Sequence, residues 1–112
     1  MLEVIDTREQ GAVVVHLKGR LDGSTANDLD TRLRLLTTAG ESRLVLDMSG
    51  VEYIASVGLR VILVVMKQLR AANGKLAMAE LKEQVRQAFE LSGFSKLCQV
   101  CATRTEALAA VQ

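Results

Sequence analysis

Along the chain the spacing of apolar positions changes several times, and each change marks an element. Leu2 to Thr7 reads as a strand, and Ala12 to Lys18, with Val-Val-Val-His-Leu at its centre, reads as a second. The Gln10-Gly11 turn signal between them predicts a hairpin. Ala26, Leu29, Leu33 and Leu36 then recur at helical spacing, with Ser24 as the expected N-cap and Gly40 as the stop. Arg43 to Met48 is an apolar run of strand length, closed by Ser49-Gly50. The pattern further predicts a helix over Val57 to Ala72, a strand over Lys75 to Glu80, a helix over Lys82 to Leu91 ended by Gly93, and a strand over Lys96 to Ala102. Thr103 with Glu106 matches a capping box, so a last short helix begins there and carries Leu108 and Val111 inward. The predicted order is ββαβαβαβα. Strands alternating with helices need crossover connections and a largely parallel sheet, which the opening hairpin makes mixed: the fold class is α/β.

Composition narrows the function classes. The 112 residues are 49% apolar and 24% charged, enough for one core, and with no Pro, linker or repeat the whole of 1–112 is expected to be a single domain. Fourteen basic against thirteen acidic residues leave a net charge of +1 without a basic run, and aromatics make up only 3%. Neither a phosphate-tracking surface nor a stacking platform is present, so nucleic acid is not an expected partner. The longest apolar run, Val61 to Met66, is too short to span a bilayer, and Met1 leads directly into Glu3, Asp6 and Arg8. No membrane insertion and a cytoplasmic location are expected.

Catalytic chemistry is thin. Two cysteines and one histidine cannot furnish the four ligands of a structural zinc site, so no metal or other cofactor is expected. Cys98-x-x-Cys101 sits in a strand-like run where the two side chains would point to opposite faces, which fits small apolar residues better than a redox pair. His16 lies mid-strand with no nucleophile indicated beside it and reads as structural or surface-exposed. The glycines at 11, 19 and 23 do not spell a dinucleotide fingerprint, and Gly74-Lys75 lacks the rest of a phosphate loop.

The informative stretch runs from Asp47 to Arg60, from a strand end through a loop into the second helix. In that helix Leu59, Ile62, Leu63, Met66 and Leu69 form one apolar side, while Val61, Val64 and Val65 are assigned to the other, where a partner could dock. Ser56 is placed like an N-cap, and the orphan amides and positive dipole end beside it suit either a capping hydroxyl or a phosphate.

Three segments resemble the STAS domain family, and within it the stand-alone bacterial anti-sigma-factor antagonists. Leu17 to Ala26 is similar to the family's G-x-L-D-x-x-T-A strand end, Leu44 to Leu59 to its strand, loop and D-S-[ST]-G-L motif, and Phe89 to Leu97 to the end of its third helix. The resemblance implies a binding protein rather than an enzyme. Its partner would be an anti-sigma factor that is also a serine kinase of the GHKL type, with a PP2C-type phosphatase reversing the modification. It further implies that Ser56 is the phosphoacceptor and that Gly58 and Leu59 open its helix, with Asp22 as the acidic residue of the neighbouring loop. Asp22, Ser56, Val57, Gly58, Val61, Val64 and Val65 are the expected partner contacts. Ala55 and Val57 stand where the motif has Asp and Ser or Thr. The alternative is a constitutive STAS adaptor subunit of a transporter or signalling complex, with Ser56 only a cap.

Overall fold

The computed structural model describes residues 1–94 and 98–112. Its elements are β1 (Leu2–Glu9), β2 (Ala12–Leu21), α1 (Ala26–Thr38), β3 (Arg43–Ile54), α2 (Ser56–Ala71), β4 (Lys75–Ala79), α3 (Glu83–Ser92), β5 (Gln99–Cys101) and α4 (Arg104–Ala110). The order is the one predicted, and the five strands lie side by side in sequence order. β1 and β2 are antiparallel around a loop in which Gln10 and Gly11 both take positive φ, 52° and 79°, as a type I′ hairpin turn requires. The other neighbours are all parallel, as helical crossovers dictate.

Strand alternation splits the core into two layers. Val13, Val15, Leu17, Leu44, Leu46, Met48, Leu76 and Met78 pack against buried residues of α1, α2 and α3. On the opposite face Val14, Val45, Ala77 and Ala79 meet Ala107, Leu108 and Val111 at the C-terminal helix. The small alanines let α4 lie close to the sheet. Thr103 Oγ1 caps α4 by accepting from the Glu106 amide, as the capping box predicts, while the Glu106 carboxylate takes the amide of Ala102 rather than that of Thr103.

Several boundaries differ from the sequence reading. β2 passes through Gly19 to Leu21, and β3 passes through Ser49-Gly50 to Ile54. β3 accommodates this by inserting an extra residue twice against β2, between the pairs His16↔Asp47 and Lys18↔Gly50 and again between Gly19↔Val51 and Arg20↔Tyr53. Gly50 is therefore a bulge position rather than a turn: a Cβ there would lie 2.7 Å from the Leu17 carbonyl oxygen. The N-cap of α1 is Thr25, not Ser24, because Ser24 is drawn away by Asp22. The last strand is shorter than expected. It covers Gln99–Cys101, and residues 96 and 97 of the predicted span lie outside the described residues. Cys98 consequently precedes β5, so strand alternation does not set its direction; it is buried, Cys101 is half-buried, and both thiols are free. Burial pushes both thiols above their ordinary range, and Glu106 adds to this at Cys101.

Candidate functional site

The site forms where the C-terminal ends of β2 and β3 deliver their loops to the start of α2. The Ala55 amide donates to the Leu21 carbonyl at 2.9 Å, extending the β2–β3 pairing by one hydrogen bond. Asp22 follows Leu21 and Ser56 follows Ala55, so the register itself brings the acidic loop to the serine.

Asp22 is held in a tight turn. Its Oδ1 accepts from the Ser24 hydroxyl at 2.7 Å and the Ser24 amide at 3.0 Å. The buried Thr25 hydroxyl accepts from the Asp22 amide and donates to the Arg20 carbonyl. The Ser24 contacts hold the Asp22 carboxyl below its ordinary pKa, helped by the Arg20 guanidinium at 3.7 Å. The loop therefore presents a fixed negative charge.

Ser56 is exposed and is the first residue of α2; the N-cap is Ala55, in extended conformation, and no side chain caps the helix. The capping role expected for Ser56 is corrected accordingly, and its hydroxyl makes no hydrogen bond to the described residues. No acidic residue of the first turn itself compensates the positive end of the helix dipole beside that hydroxyl. Gly58 brings this end of α2 onto β2, since a Cβ there would lie 2.6 Å from Leu21 Cγ.

The outer face of α2 is narrower than the sequence reading had it. Gly58, Leu59, Ile62, Val65, Met66 and Leu69 are buried. Val65, expected on the outer face, is fully buried: three residues after Ile62 and four before Leu69, it falls within the core stripe. Val61 and Leu63 are half-buried at its two margins, whereas Val57 and Val64 are exposed. Of the expected apolar contacts, Val57 and Val64 face solvent and Val61 contributes an edge.

Two constellations escaped the sequence reading. At the site, the Arg20 guanidinium lies 4.4 Å from the centroid of the exposed Tyr53 ring. On the α4 side of the sheet the buried Asp47 faces His16 Nδ1 at 3.3 Å and Arg104 Nη1 at 3.4 Å, and accepts from the Ser49 amide at 3.0 Å. Burial opposes ionisation of Asp47, but Ser49, His16 and Arg104 outweigh it and hold its carboxyl below the usual range. His16 Nε2 also meets Thr7 Oγ1 at 2.9 Å, so both ring nitrogens are engaged. Among the described residues no cluster of three or more His, Cys, Asp or Glu is arranged to hold a metal, and no helix is long and apolar enough to cross a membrane.

The sequence and the fold are similar to those of known proteins. BtrV of Bordetella bronchiseptica, described as an anti-sigma factor antagonist, is 42% identical over 100 residues, covering 89% of this chain and 86% of its own. The crystal structure of an anti-sigma factor antagonist from Mycobacterium paratuberculosis superposes with a TM-score of 0.92 at 25% identity, over 99% of this chain and 94% of that one. The phosphorylated form of the Bacillus cell fate determinant SpoIIAA shares the fold, with a TM-score of 0.73 at 20% identity over the full length of both chains. The STAS domain model matches residues 4–107, which takes in both loops, the whole of α2 and every strand but the first two residues of β1; the chain belongs to the STAS domain family, and its likeness there is to stand-alone anti-sigma factor antagonists.

Proposed function

We propose that this protein is an anti-sigma factor antagonist that works by binding, in the cytoplasm, as one STAS domain spanning residues 1–112. Its partner is an anti-sigma factor with serine-kinase activity of the GHKL type, and binding frees the sigma factor. The docking surface comprises Asp22, Ser56, Val57, Val61 and Val64, while Gly58, expected among the contacts, is buried beneath it and seats α2 on Leu21. Phosphorylation of Ser56 by that kinase ends the interaction, and a PP2C-type phosphatase restores it.

The observation that carries this reading is the exposed, uncapped hydroxyl of Ser56 at the first position of α2, in a chain 42% identical to BtrV. A hydroxyl without internal partners reaches a kinase without breaking native hydrogen bonds. The amides and dipole of the helix end then stabilise the phosphate within this protein. The same dianion, carried into a partly desolvated interface, opposes association. SpoIIAA, which shares the fold, is known in a phosphorylated form.

The test is incubation of the purified chain with the GHKL-type kinase of the same genome and ATP, followed by intact mass measurement and site mapping. A single phosphate on Ser56, with loss of the complex, is expected. A stable complex that is never phosphorylated would instead favour the constitutive adaptor.

A further inference from the structure

We propose that Arg20 and Tyr53 form a preassembled anchor for the anti-sigma partner, receiving a carboxylate on the guanidinium and an apolar side chain on the ring; this rests on the binding role argued above.

The anchor is a product of the strand register. After the second inserted residue in β3, Arg20 stands opposite Tyr53 and Leu21 opposite Ile54. Leu21 and Ile54 turn into the core, so Arg20 and Tyr53 turn outward together. The Tyr53 ring remains 44% exposed with the guanidinium 4.4 Å from its centroid, and the Arg20 side chain is 58% exposed. Arg20 also reaches Asp22 Oδ2 at 3.7 Å, which steadies it from the side of the loop already assigned to the partner. Two flexible or amphipathic side chains are thereby ordered before any partner arrives, lowering the entropy lost on association.

The composition of the patch points to a protein surface. Tyr and Arg are the residue types on which interface energy concentrates. Tyr53, Val57 and Val64 are exposed apolar residues of one continuous segment, the end of β3 and the outer face of α2. Tyr53 stands on the sheet face away from α2, because Leu21 and Ile54 beside the pair turn to the α1–α2 side, and it joins the docking surface through Arg20 and the Asp22 loop. Arg20 adds donors that its 3.7 Å approach to Asp22 does not use up, since a guanidinium carries five. The complementary partner surface is a carboxylate beside an aliphatic side chain.

The test is titration of the purified anti-sigma factor of the same genome with the wild-type chain and with Tyr53→Ala, Tyr53→Phe, Arg20→Ala and Arg20→Glu, each checked for folding by circular dichroism and thermal melting. Tyr53→Ala and Arg20→Ala each weaken binding about tenfold, as hot-spot truncations do, and the double variant is weaker by much less than the product of the two. Tyr53→Phe binds within about threefold of wild type, and Arg20→Glu binds more weakly than Arg20→Ala. Should Tyr53→Ala fail to fold, Arg20→Glu, at an exposed side chain, makes the same test. Wild-type binding with every variant within about twofold of it overturns the anchor while leaving the binding role intact. Absence of wild-type binding overturns both.

Discussion

The Ala55 amide donates to the Leu21 carbonyl at 2.9 Å, and this one hydrogen bond ties the residue before Ser56 to the residue before Asp22. The contact works because α2 descends directly onto Leu21 through Gly58. Gly58→Ala places a methyl 2.6 Å from Leu21 Cγ, against a residue with no exposed surface into which to retreat. A loss of about 1–3 kcal/mol in urea unfolding is expected, together with slower labelling of Ser56 as the helix start moves away from the Asp22 loop. Unchanged stability would show that α2 shifts at no cost.

Val64 and Val65 are chain neighbours with opposite duties. Val65 is fully buried and Val64 is 37% exposed. Val65→Ala removes two buried carbons and is expected to cost about 1–3 kcal/mol. Val64→Asp is expected to stay within about 0.5 kcal/mol of wild type while weakening the complex with the anti-sigma factor. Denaturation curves of the two variants beside their binding isotherms separate the roles; a Val64→Asp protein that binds as wild type removes Val64 from the interface.

The buried Asp47 gives stability a defined dependence on pH. Its folded carboxyl titrates below its ordinary value, so the folded state binds that proton less readily than the unfolded chain does. The contribution is complete above the unfolded value, about 3.9, and is lost as pH falls through the lower folded value. Asp47→Asn removes the carboxylate that Arg104 and His16 share and is expected to cost about 1–3 kcal/mol at pH 7. Urea midpoints measured downward from pH 7 should show the gap between wild type and variant narrowing once the pH falls below about 4. A gap that does not narrow at all as the pH falls below about 4 would mean that Asn fails through packing rather than charge.

What the sequence made legible depended on range. The element order, the hairpin, the Thr103 cap and the serine at the head of α2 rest on neighbours a few residues apart, where periodicity and turn chemistry act. Val65 was misplaced because a helix with Val at 61, 64 and 65 carries apolar residues almost all round, and only packing against the sheet decides which of them is core. The passage of β3 through Ser49-Gly50 was hidden because a glycine tolerating a close strand reads the same as one making a turn. Arg104 meets Asp47 across 57 positions, and Arg20 meets Tyr53 only after two register shifts. Such pairings follow from the assembled sheet and leave no local signal.

The head of α2 also makes the most discriminating prediction. The Ser56 hydroxyl has no hydrogen bond to the described residues to lose, so Ser56→Ala should fold with stability within about 0.5 kcal/mol of wild type, bind the anti-sigma factor and resist phosphorylation. Ser56→Glu should fold equally well, because a carboxylate in the first turn of a helix that has no other acidic residue there interacts favourably with the dipole. At the interface the same charge is unwelcome: Asp22, held ionised by Ser24, already supplies one negative group, and the partner must desolvate both. A penalty of about 3 kcal/mol would weaken binding about a hundredfold, since about 1.4 kcal/mol is tenfold. Asp22→Asn in the Ser56→Glu background should then recover part of the lost affinity, which a merely steric effect of the glutamate would not permit. Affinities of these four proteins, measured at low and moderate salt, decide the matter: equal binding by wild type and Ser56→Glu, or kinase labelling of Ser24 or Ser49 in place of Ser56, would leave the serine without a switching role.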